Sequence, residues 1–319
     1  MYTADDMLEV YEKWPDMFQP LSFEFDVKAY DKAYCCGYGS SYIPILMAKE
    51  LYGKDRVVPL RPGEMPTKEL SGKALVVVSH SGNTFEAIKC VEEGQRAGMD
   101  VFIVSGGGKL IELCGGNVKC LRINQEKTTR LGFPYIMSGL TPLLDKLFNE
   151  KATDRVKQYF AKLKGKEQEL GEEAKKIAEF LSGSFLAGIY YSANAEPLAL
   201  RFRYLLSENA KLHSVYEDIM EVAHDGITAW EMYYSMPIVF LRSQKDSEIQ
   251  RERFEAIGEV LRALGHRVFE VNVGSEEDLF FKLYSLDVST VFLSILRNVN
   301  PFITRSQEVI RKKVDLKHE

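Results

Sequence analysis

Short apolar runs alternate with amphipathic segments along most of the chain. Residues 76–78 are three consecutive valines, which is typical of a parallel strand buried on both faces. In the segment that follows, apolar side chains at Phe85, Ile88 and Val91 are separated by charged residues. This spacing predicts an amphipathic helix directly after the strand.

The same strand-then-helix order recurs in both halves of the sequence. In the first half, strands are predicted at residues 33–36, 57–60, 74–78, 101–104 and 120–123, and helices at residues 43–51, 85–93 and 140–148. In the second half, strands are predicted at residues 185–191, 236–241 and 267–273, and helices at residues 195–207, 249–264 and 279–296. The pattern predicts an α/β fold with two doubly wound parallel sheets, each flanked by helices.

The length of 319 residues suits about two domains. We predict a first domain over residues 1–150, which includes an N-terminal lead-in, and a second over residues 183–319, which ends in a helical segment. Residues 151–182 are rich in Lys and Glu at helical spacing and are predicted to form a helical connector.

Hydroxyl and amide side chains cluster in the loop after the three valines. Ser79, Ser81, Asn83 and Thr84 surround Gly82 between the strand and the helix. A strand that ends in a glycine turn and opens a helix presents unpaired N–H groups to an anion. The loop contains no Lys or Arg, so a phosphomonoester fits it better than a triphosphate. An ordinary helix cap is the structural alternative.

Two more glycine loops, at residues 37–41 and 105–108, also follow predicted strands. Ligands of doubly wound sheets bind at the carboxyl ends of the strands, so all three loops should face one crevice. A dinucleotide site is not expected, because Tyr42 stands at the third glycine position of the G-x-G-x-x-G pattern.

Charge and composition argue against other classes of partner. The net charge is −5 without a basic tract, so no nucleic-acid partner is expected. No apolar run looks long enough to span a bilayer, and the N-terminus lacks a basic region followed by an apolar one. We therefore expect a cytoplasmic protein without a membrane partner.

The cysteine count is odd and shows no C-x-x-C spacing. The cysteines are Cys35, Cys36, Cys90, Cys114 and Cys120. Since no histidines stand at matching spacing, we expect buried, reduced thiols rather than a metal site.

Seven motifs together resemble the sugar isomerase (SIS) domain family, and within it the bifunctional phosphoglucose/phosphomannose isomerases. Among them are a first glycine-serine loop, a phosphate loop, a Glu-Asn-Ala-Lys element and an Asn-Pro element near the C-terminus. They span nearly the whole chain, in the family's order, as two tandem SIS domains. The motifs lie at residues 37–41, 79–84, 105–110, 129–134, 207–211, 224–231 and 299–301.

The resemblance implies an aldose–ketose isomerase that interconverts glucose 6-phosphate and fructose 6-phosphate through a cis-enediolate, with mannose 6-phosphate as a further substrate. It implies no metal or organic cofactor, and a place in glycolysis or gluconeogenesis. The phosphate-binding residues it implies share hydroxyl groups or backbone amides at the loops. They are Gly39, Ser40, Ser41, Ser79, Ser81, Asn83 and Thr84.

Three catalytic residues are implied by the same resemblance. Glu208 would be the base that moves a proton between C2 and C1, and Arg130 would steady the enediolate. His224 would assist ring opening from the other subunit, which implies a homodimer with shared active sites. A solvated helix face for Glu208, a surface salt bridge for Arg130 and a structural role for His224 are the alternatives.

The C-terminal segment departs from the family pattern. The family's ring-opening lysine falls on Arg311, and arginine is a poor proton shuttle. A shift of one residue would assign the role to Lys312, although a basic helix end explains both residues equally well. Thr304 matches a threonine associated with acceptance of mannose phosphate, but Arg305 replaces the proline that usually follows it.

Two other functions stay open from the sequence. One is a deaminase or deglycase that acts on an amino-sugar phosphate, as other tandem SIS proteins do. The other is a non-catalytic regulator that binds a sugar phosphate, which the displaced lysine would favour.

Overall fold

The computed structural model of the chain describes residues 2–61, 63–232 and 236–318, with the side chains of residue 311 and of residues 314–318 left out. The helices are α1 (Ala4–Glu12), α2 (Trp14–Met17), α3 (Ile43–Tyr52), α4 (Phe85–Arg96), α5 (Gly108–Glu112), α6 (Phe133–Phe148), α7 (Ala152–Leu163), α8 (Glu167–Leu181), α9 (Glu196–Glu208), α10 (Ile219–Val222), α11 (Glu248–Ala263), α12 (Glu276–Leu296) and α13 (Arg305–His318). The strands are β1 (Ala33–Gly37), β2 (Val57–Pro59), β3 (Ala74–Ser79), β4 (Asp100–Ser105), β5 (Val118–Arg122), β6 (Leu186–Tyr191), β7 (His213–Asp218), β8 (Ile238–Ser243) and β9 (Val268–Val273).

The chain forms two compact units, which we call the N-terminal unit (Lys13–Lys162) and the C-terminal unit (Met1–Glu12 with Leu163–Glu319). The residues of the predicted connector divide between them, because α7 falls almost wholly in the N-terminal unit and α8 in the C-terminal unit.

The N-terminal unit is built on a five-stranded sheet in the order β2-β1-β3-β4-β5, with every neighbouring pair parallel. All six residues of β3 are buried, as expected of a central strand covered on both faces. β2 pairs with one edge of β1 and β3 pairs with the other, so the order of the strands reverses direction at β1. The carboxyl ends of β1 and β3 therefore flank the point where ligands of such sheets bind.

The C-terminal unit contains a second parallel sheet, in the order β7-β6-β8-β9. The two-sheet α/β prediction is thus confirmed. The sequence analysis missed β7, which lies at the edge of this sheet. Most of its residues are exposed or only half-buried, His213 and Val215 being exposed, so it lacks the apolar run that identifies the inner strands.

We expected no apolar segment long enough to span a bilayer, and this expectation was wrong for one helix, α12. By length and composition alone, α12 could cross a membrane. However, 78% of its most apolar window is buried inside the protein, as in a core helix. It packs against α1, α8 and α9 within the C-terminal unit.

The expectation of reduced thiols was wrong for two of the five cysteines. Cys114 and Cys120 form a disulfide, while Cys35, Cys36 and Cys90 are free and buried. An isolated antiparallel bridge between Gly115 and Val118 turns the chain back on itself and brings the two Cα atoms to 5.9 Å. That separation is normal for a disulfide.

Candidate functional site

The loop of Ser79–Thr84, which we call the hydroxyl loop, is folded around its own side chains. Ser79 Oγ accepts a hydrogen bond from Gly82 N at 3.2 Å and lies 3.2 Å from Thr84 Oγ1. Ser81 Oγ accepts from Asn83 N at 3.3 Å. Thr84 immediately precedes α4, yet within the described residues its side chain makes no capping hydrogen bond to that helix. The helix-cap interpretation therefore loses its main support.

Hydrogen bonds connect the three predicted loops. Ser41 Oγ, in the loop after β1, accepts from His80 N at 3.2 Å. At the start of α5, directly after the loop that follows β4, Lys109 N donates to Asn83 Oδ1 and Leu110 N donates to Gly82 O, both at 3.0 Å. The loops that the sequence predicted to face one crevice thus form one connected edge of the sheet.

Gly82 is required where two of these loops meet. Its φ of +71° is in the left-handed region, and a Cβ at this position would lie 1.6 Å from Gly107 O. Because only glycine allows this close approach, backbone packing requires a glycine at position 82.

The predicted phosphate-binding residues differ in exposure. Ser41 and Ser79 are buried and hold the loops together, whereas Ser40 and Thr84 are half-buried. The exposed members are Gly39, Ser81 and Asn83. The edge therefore offers amides and hydroxyls to an anion from the exposed members, supported by buried hydroxyls beneath.

His80 joins the hydroxyl loop to the segment that carries Arg130. Its Nε2 accepts from Glu126 N at 3.0 Å, and its carbonyl oxygen accepts from Gln125 Nε2 at 2.8 Å. Burial lowers the pKa of His80 to about 4, so the ring is neutral near pH 7. Gly132 packs closely against the same ring, because a Cβ at position 132 would lie 2.4 Å from Nε2.

Arg130 lies in this segment and is only 5% exposed. A surface salt bridge, the alternative considered for it, does not fit this burial. The next residue is also fixed, because Trp14 Nε1 donates to Leu131 O at 3.1 Å. Arg130 is therefore buried within the N-terminal unit, in the chain between the contact of Glu126 with His80 and the contact of Leu131 with Trp14.

Glu208 ends α9 and is half-buried in a cavity of about 670 Å³. We call this space the Glu208 cavity; its polar lining includes Lys211, Thr304, Arg305 and Gln307. Gln307 Nε2 donates to Glu208 Oε1 at 3.1 Å. Glu208 is thus half-buried and hydrogen-bonded rather than fully solvated, and its catalytic role stays a prediction. The volume is in the range of sites for small molecules.

The turn after α9 is fixed by buried polar contacts. Asn209 is fully buried and donates through Nδ2 to Thr290 Oγ1 at 2.8 Å. Arg297 Nε donates to Ala210 O at 2.9 Å, and Lys211 Nζ donates to Glu208 O. Lys211 takes a positive φ of 54°, which ends the helix sharply. These contacts of the Glu-Asn-Ala-Lys element fix the turn that directly follows Glu208.

The predicted C-terminal residues differ in their position relative to the Glu208 cavity. Thr304 directly precedes α13, and Gln307 and position 311, four residues apart, lie on one face of that helix. Lys312 is exposed, is not among the residues that line the Glu208 cavity, and lies about 100° further around the axis. The side chain of Arg311 lies outside the described residues. The catalytic assignment of Lys312 stays a prediction.

His224 and Glu208 lie beyond opposite ends of strand β7 in the second sheet. Glu208 precedes the first residue of β7, whereas His224 is exposed and follows α10, beyond the last residue of that strand. The six residues of β7 separate its two ends, which corresponds to about 20 Å. One copy of the C-terminal unit does not bring these two residues together.

Sequence reasoning assigned no role to Gln307 or His80. Gln307 follows Thr304 by three residues, a helical spacing that could have drawn attention to it. For His80 no local signal predicts contacts 45 residues away. Among the described residues, no group of three or more His, Cys, Asp or Glu side chains could hold a metal ion.

Comparison with known proteins agrees with this architecture. Residues 171–314 match the family "Bacterial phospho-glucose isomerase C-terminal SIS domain". The chain is 30% identical to the D-glucosamine-6-phosphate 4-epimerase of Sulfolobus acidocaldarius, over 72% of this chain and 73% of that protein. It is also 30% identical to the bifunctional phosphoglucose/phosphomannose isomerase of Aeropyrum pernix, over 70% of each.

Solved structures share the fold at low sequence identity, and one of them serves as an example. It is the C-terminal domain of glucosamine-fructose-6-phosphate aminotransferase from Francisella tularensis, with a TM-score of 0.65 and 15% identity over 92% of this chain and 96% of that one. With the coverage and identity of the two relatives above, the chain belongs to the tandem SIS domain family that includes the bifunctional phosphoglucose/phosphomannose isomerases.

Proposed function

We propose that the protein is an aldose–ketose isomerase that interconverts hexose 6-phosphates, with glucose 6-phosphate and fructose 6-phosphate as the first pair. The observation that carries the proposal is the carboxylate of Glu208, held inside a cavity that also contains Thr304. Isomerisation requires one base that can reach both C1 and C2, and a carboxylate fixed in a cavity of this volume is suited to that task.

The phosphate of the substrate would bind at the hydroxyl loop. The donors there are neutral, from Ser81, Asn83, Thr84 and the backbone around Gly39 and Ser40. Neutral donors suit a phosphomonoester that must bind and leave again, and their fixed positions would orient the sugar for the base.

Proton transfer follows from the chemistry of the enediolate. Glu208 would take the proton from C2 of the open-chain aldose, and the C1 carbonyl oxygen would gain negative charge. Arg130 would stabilise that charge, since a guanidinium stays protonated and donates from a fixed geometry. Glu208 would then return the proton to C1 while the proton of the C2 hydroxyl moves to the oxygen on C1, so that C2 becomes the carbonyl carbon of the ketose.

Ring opening would use His224 from a second copy of the chain. The separation of His224 and Glu208 by a whole strand supports a homodimer with shared active sites, because one copy alone leaves the site incomplete. Lys312 stays the candidate for a second group in this step. Thr304 would contact C2 and its hydroxyl, which would allow mannose 6-phosphate to react. No metal or organic cofactor, a cytoplasmic location and a role in glycolysis or gluconeogenesis complete the proposal.

The test is conversion of fructose 6-phosphate by the purified protein. We expect glucose 6-phosphate as product, with mannose 6-phosphate as a second product if Thr304 acts as proposed. Glu208→Gln should abolish turnover while inorganic phosphate still raises the melting temperature. Glu179→Gln, an exposed site on α8, is the matched control. Absence of turnover on any hexose phosphate would remove the proposal.

A reaction on an amino-sugar phosphate is the second candidate function. It is favoured by the 30% identity to a D-glucosamine-6-phosphate 4-epimerase. Incubation with glucosamine 6-phosphate separates the outcomes. A C4 epimer would indicate epimerisation, and released ammonia would indicate a deaminase or deglycase. Binding by calorimetry without any turnover would indicate the non-catalytic regulator.

A further inference from the structure

The side chain of Gln307 reaches the carboxylate of Glu208 from a different element of the C-terminal unit. Glu208 lies at the end of α9, while Gln307 lies in the first turn of α13, 99 residues further along the chain. The amide Nε2 donates to Oε1 at 3.1 Å, and both side chains are half-buried in the wall of the Glu208 cavity. The bond therefore links the predicted base to α13, the helix that begins directly after Thr304.

The position of Gln307 has an ordinary structural explanation that must be separated from this contact. Thr304-x-x-Gln307 at the start of α13 has the spacing of a capping box, in which the side-chain oxygen of the third residue accepts from the backbone of the cap. The donor group of the amide is not needed for that purpose. The hydrogen bond from Nε2 to Glu208 is thus a separate interaction, made by the other end of the same amide.

The chemistry of a neutral donor is suited to a base. An amide N–H stabilises the charged carboxylate by a hydrogen bond, yet it carries no charge that would make the carboxylate a poor proton acceptor. It also restricts the rotation of the Glu208 carboxylate. A base that moves a proton between two adjacent carbons depends on such orientation, since small misplacements cost much of the rate.

We propose that Gln307 is a positioning residue for Glu208, which orients the carboxylate for proton transfer. The proposal rests on the isomerase function proposed above. It does not extend to contact between Gln307 and the substrate.

Two substitutions separate positioning from a structural role. Gln307→Leu keeps most of the volume and removes the donor. Gln307→Glu keeps the shape and places a second carboxylate beside Glu208, so that the pair retains a proton to higher pH. Glu308→Gln, an exposed site in the same helical turn, is the matched control.

The measurement is the pH profile of kcat and KM with fructose 6-phosphate. We expect Gln307→Leu to lower kcat by about 10- to 100-fold with KM changed less than about threefold. The acidic limb of the profile should move to higher pH in Gln307→Leu and further in Gln307→Glu, while Glu308→Gln matches the wild type. An active wild type whose Gln307 variants keep the same kcat and the same acidic limb would overturn the proposal but leave the isomerase function intact.

A second measurement does not depend on turnover. The side-chain amide resonances of Gln307 in a ¹H–¹⁵N spectrum should change with pH as the carboxylate of Glu208 titrates, and Glu208→Gln should remove that change. If the resonances are the same in the wild type and in Glu208→Gln, the proposal is wrong even for an inactive protein. Failure of the isomerase function would instead appear as absent turnover in the wild type.

Discussion

His80 Nε2 accepts a hydrogen bond from the main-chain nitrogen of Glu126 at 3.0 Å. The acceptor role requires that this ring nitrogen carries no proton, so the ring is neutral with its proton on Nδ1. Gln125 donates to the carbonyl oxygen of the same histidine at 2.8 Å. One buried residue of the hydroxyl loop therefore holds the start of the segment that leads to Arg130.

Stability should fall as the pH drops below about 6.5, because of His80. The buried ring has its pKa lowered to about 4, whereas an unfolded histidine takes up a proton near pH 6.5. Between these values the unfolded state binds more protons, so the free energy of unfolding rises with pH. The difference corresponds to about 3 kcal/mol between pH 4 and pH 7.

Urea unfolding of the wild type and of His80→Asn at several pH values tests this effect. The stability difference between the two proteins should shrink as the pH falls from 7 to 4.5, since only the wild type has the buried ring to protonate. Other titrating groups are common to both proteins and cancel. Parallel curves over this range would show that His80 has no such role.

Gly82→Ala should cost far more than the same change at Gly72. The two glycines have nearly equal φ values of 71° and 72°, so both substitutions place alanine in the left-handed region, at about 1 kcal/mol. Only at Gly82 does the new Cβ meet another atom, Gly107 O at 1.6 Å, while the space around Gly72 is open. We expect Gly82→Ala to displace the loop after β4 and to cost several kcal/mol in total.

Chemical denaturation measures the stability of both variants, and the shift of melting temperature with inorganic phosphate measures the anion site. Gly72→Ala should keep the full phosphate shift, and Gly82→Ala should lose most of it. Equal stability losses in the two variants would contradict the close packing of Gly82 against Gly107.

The order of strands and helices could be predicted because the inner strands have continuous apolar runs. Residues 76–78 identify β3, whereas β7 escaped detection because an edge strand has no such run. The hydroxyl loop was also visible locally, as four polar side chains beside one glycine. The contacts of His80 with Glu126, and of Gln307 with Glu208, join residues 46 and 99 positions apart, and no periodicity encodes pairings of that kind.

Asp287→Asn should destabilise the C-terminal unit strongly. Asp287 Oδ1 accepts from Arg201 Nε at 2.7 Å, and Tyr11 Oη donates to Oδ2 at 3.2 Å, so one carboxylate connects α1, α9 and α12. Both charged residues are at most 2% exposed. Removal of one partner leaves a buried guanidinium without its countercharge, which costs about 3–5 kcal/mol.

The control is an exposed pair on α8, Lys175 and Glu172, whose Nζ and Oε1 atoms are 2.7 Å apart. Glu172→Gln should leave the urea midpoint almost unchanged, because exposed ion pairs contribute little. Since Arg201 lies two turns before Glu208 on α9, Asp287→Asn should also lower activity in the folded protein. A midpoint for Asp287→Asn that matches the control would refute the importance of the buried pair.

Reduction of the disulfide between Cys114 and Cys120 should loosen the loop after β4. The bond closes a short turn between the end of α5 and β5, and closure of such a loop stabilises the folded state by about 2 kcal/mol. The start of α5 contacts the hydroxyl loop through Lys109 N and Leu110 N. Dithiothreitol should therefore lower the free energy of unfolding and speed hydrogen exchange at these two amides. The Cys114→Ser/Cys120→Ser double variant should resemble the reduced wild type and show no further response to dithiothreitol, so an equal response in both proteins would contradict this role of the disulfide.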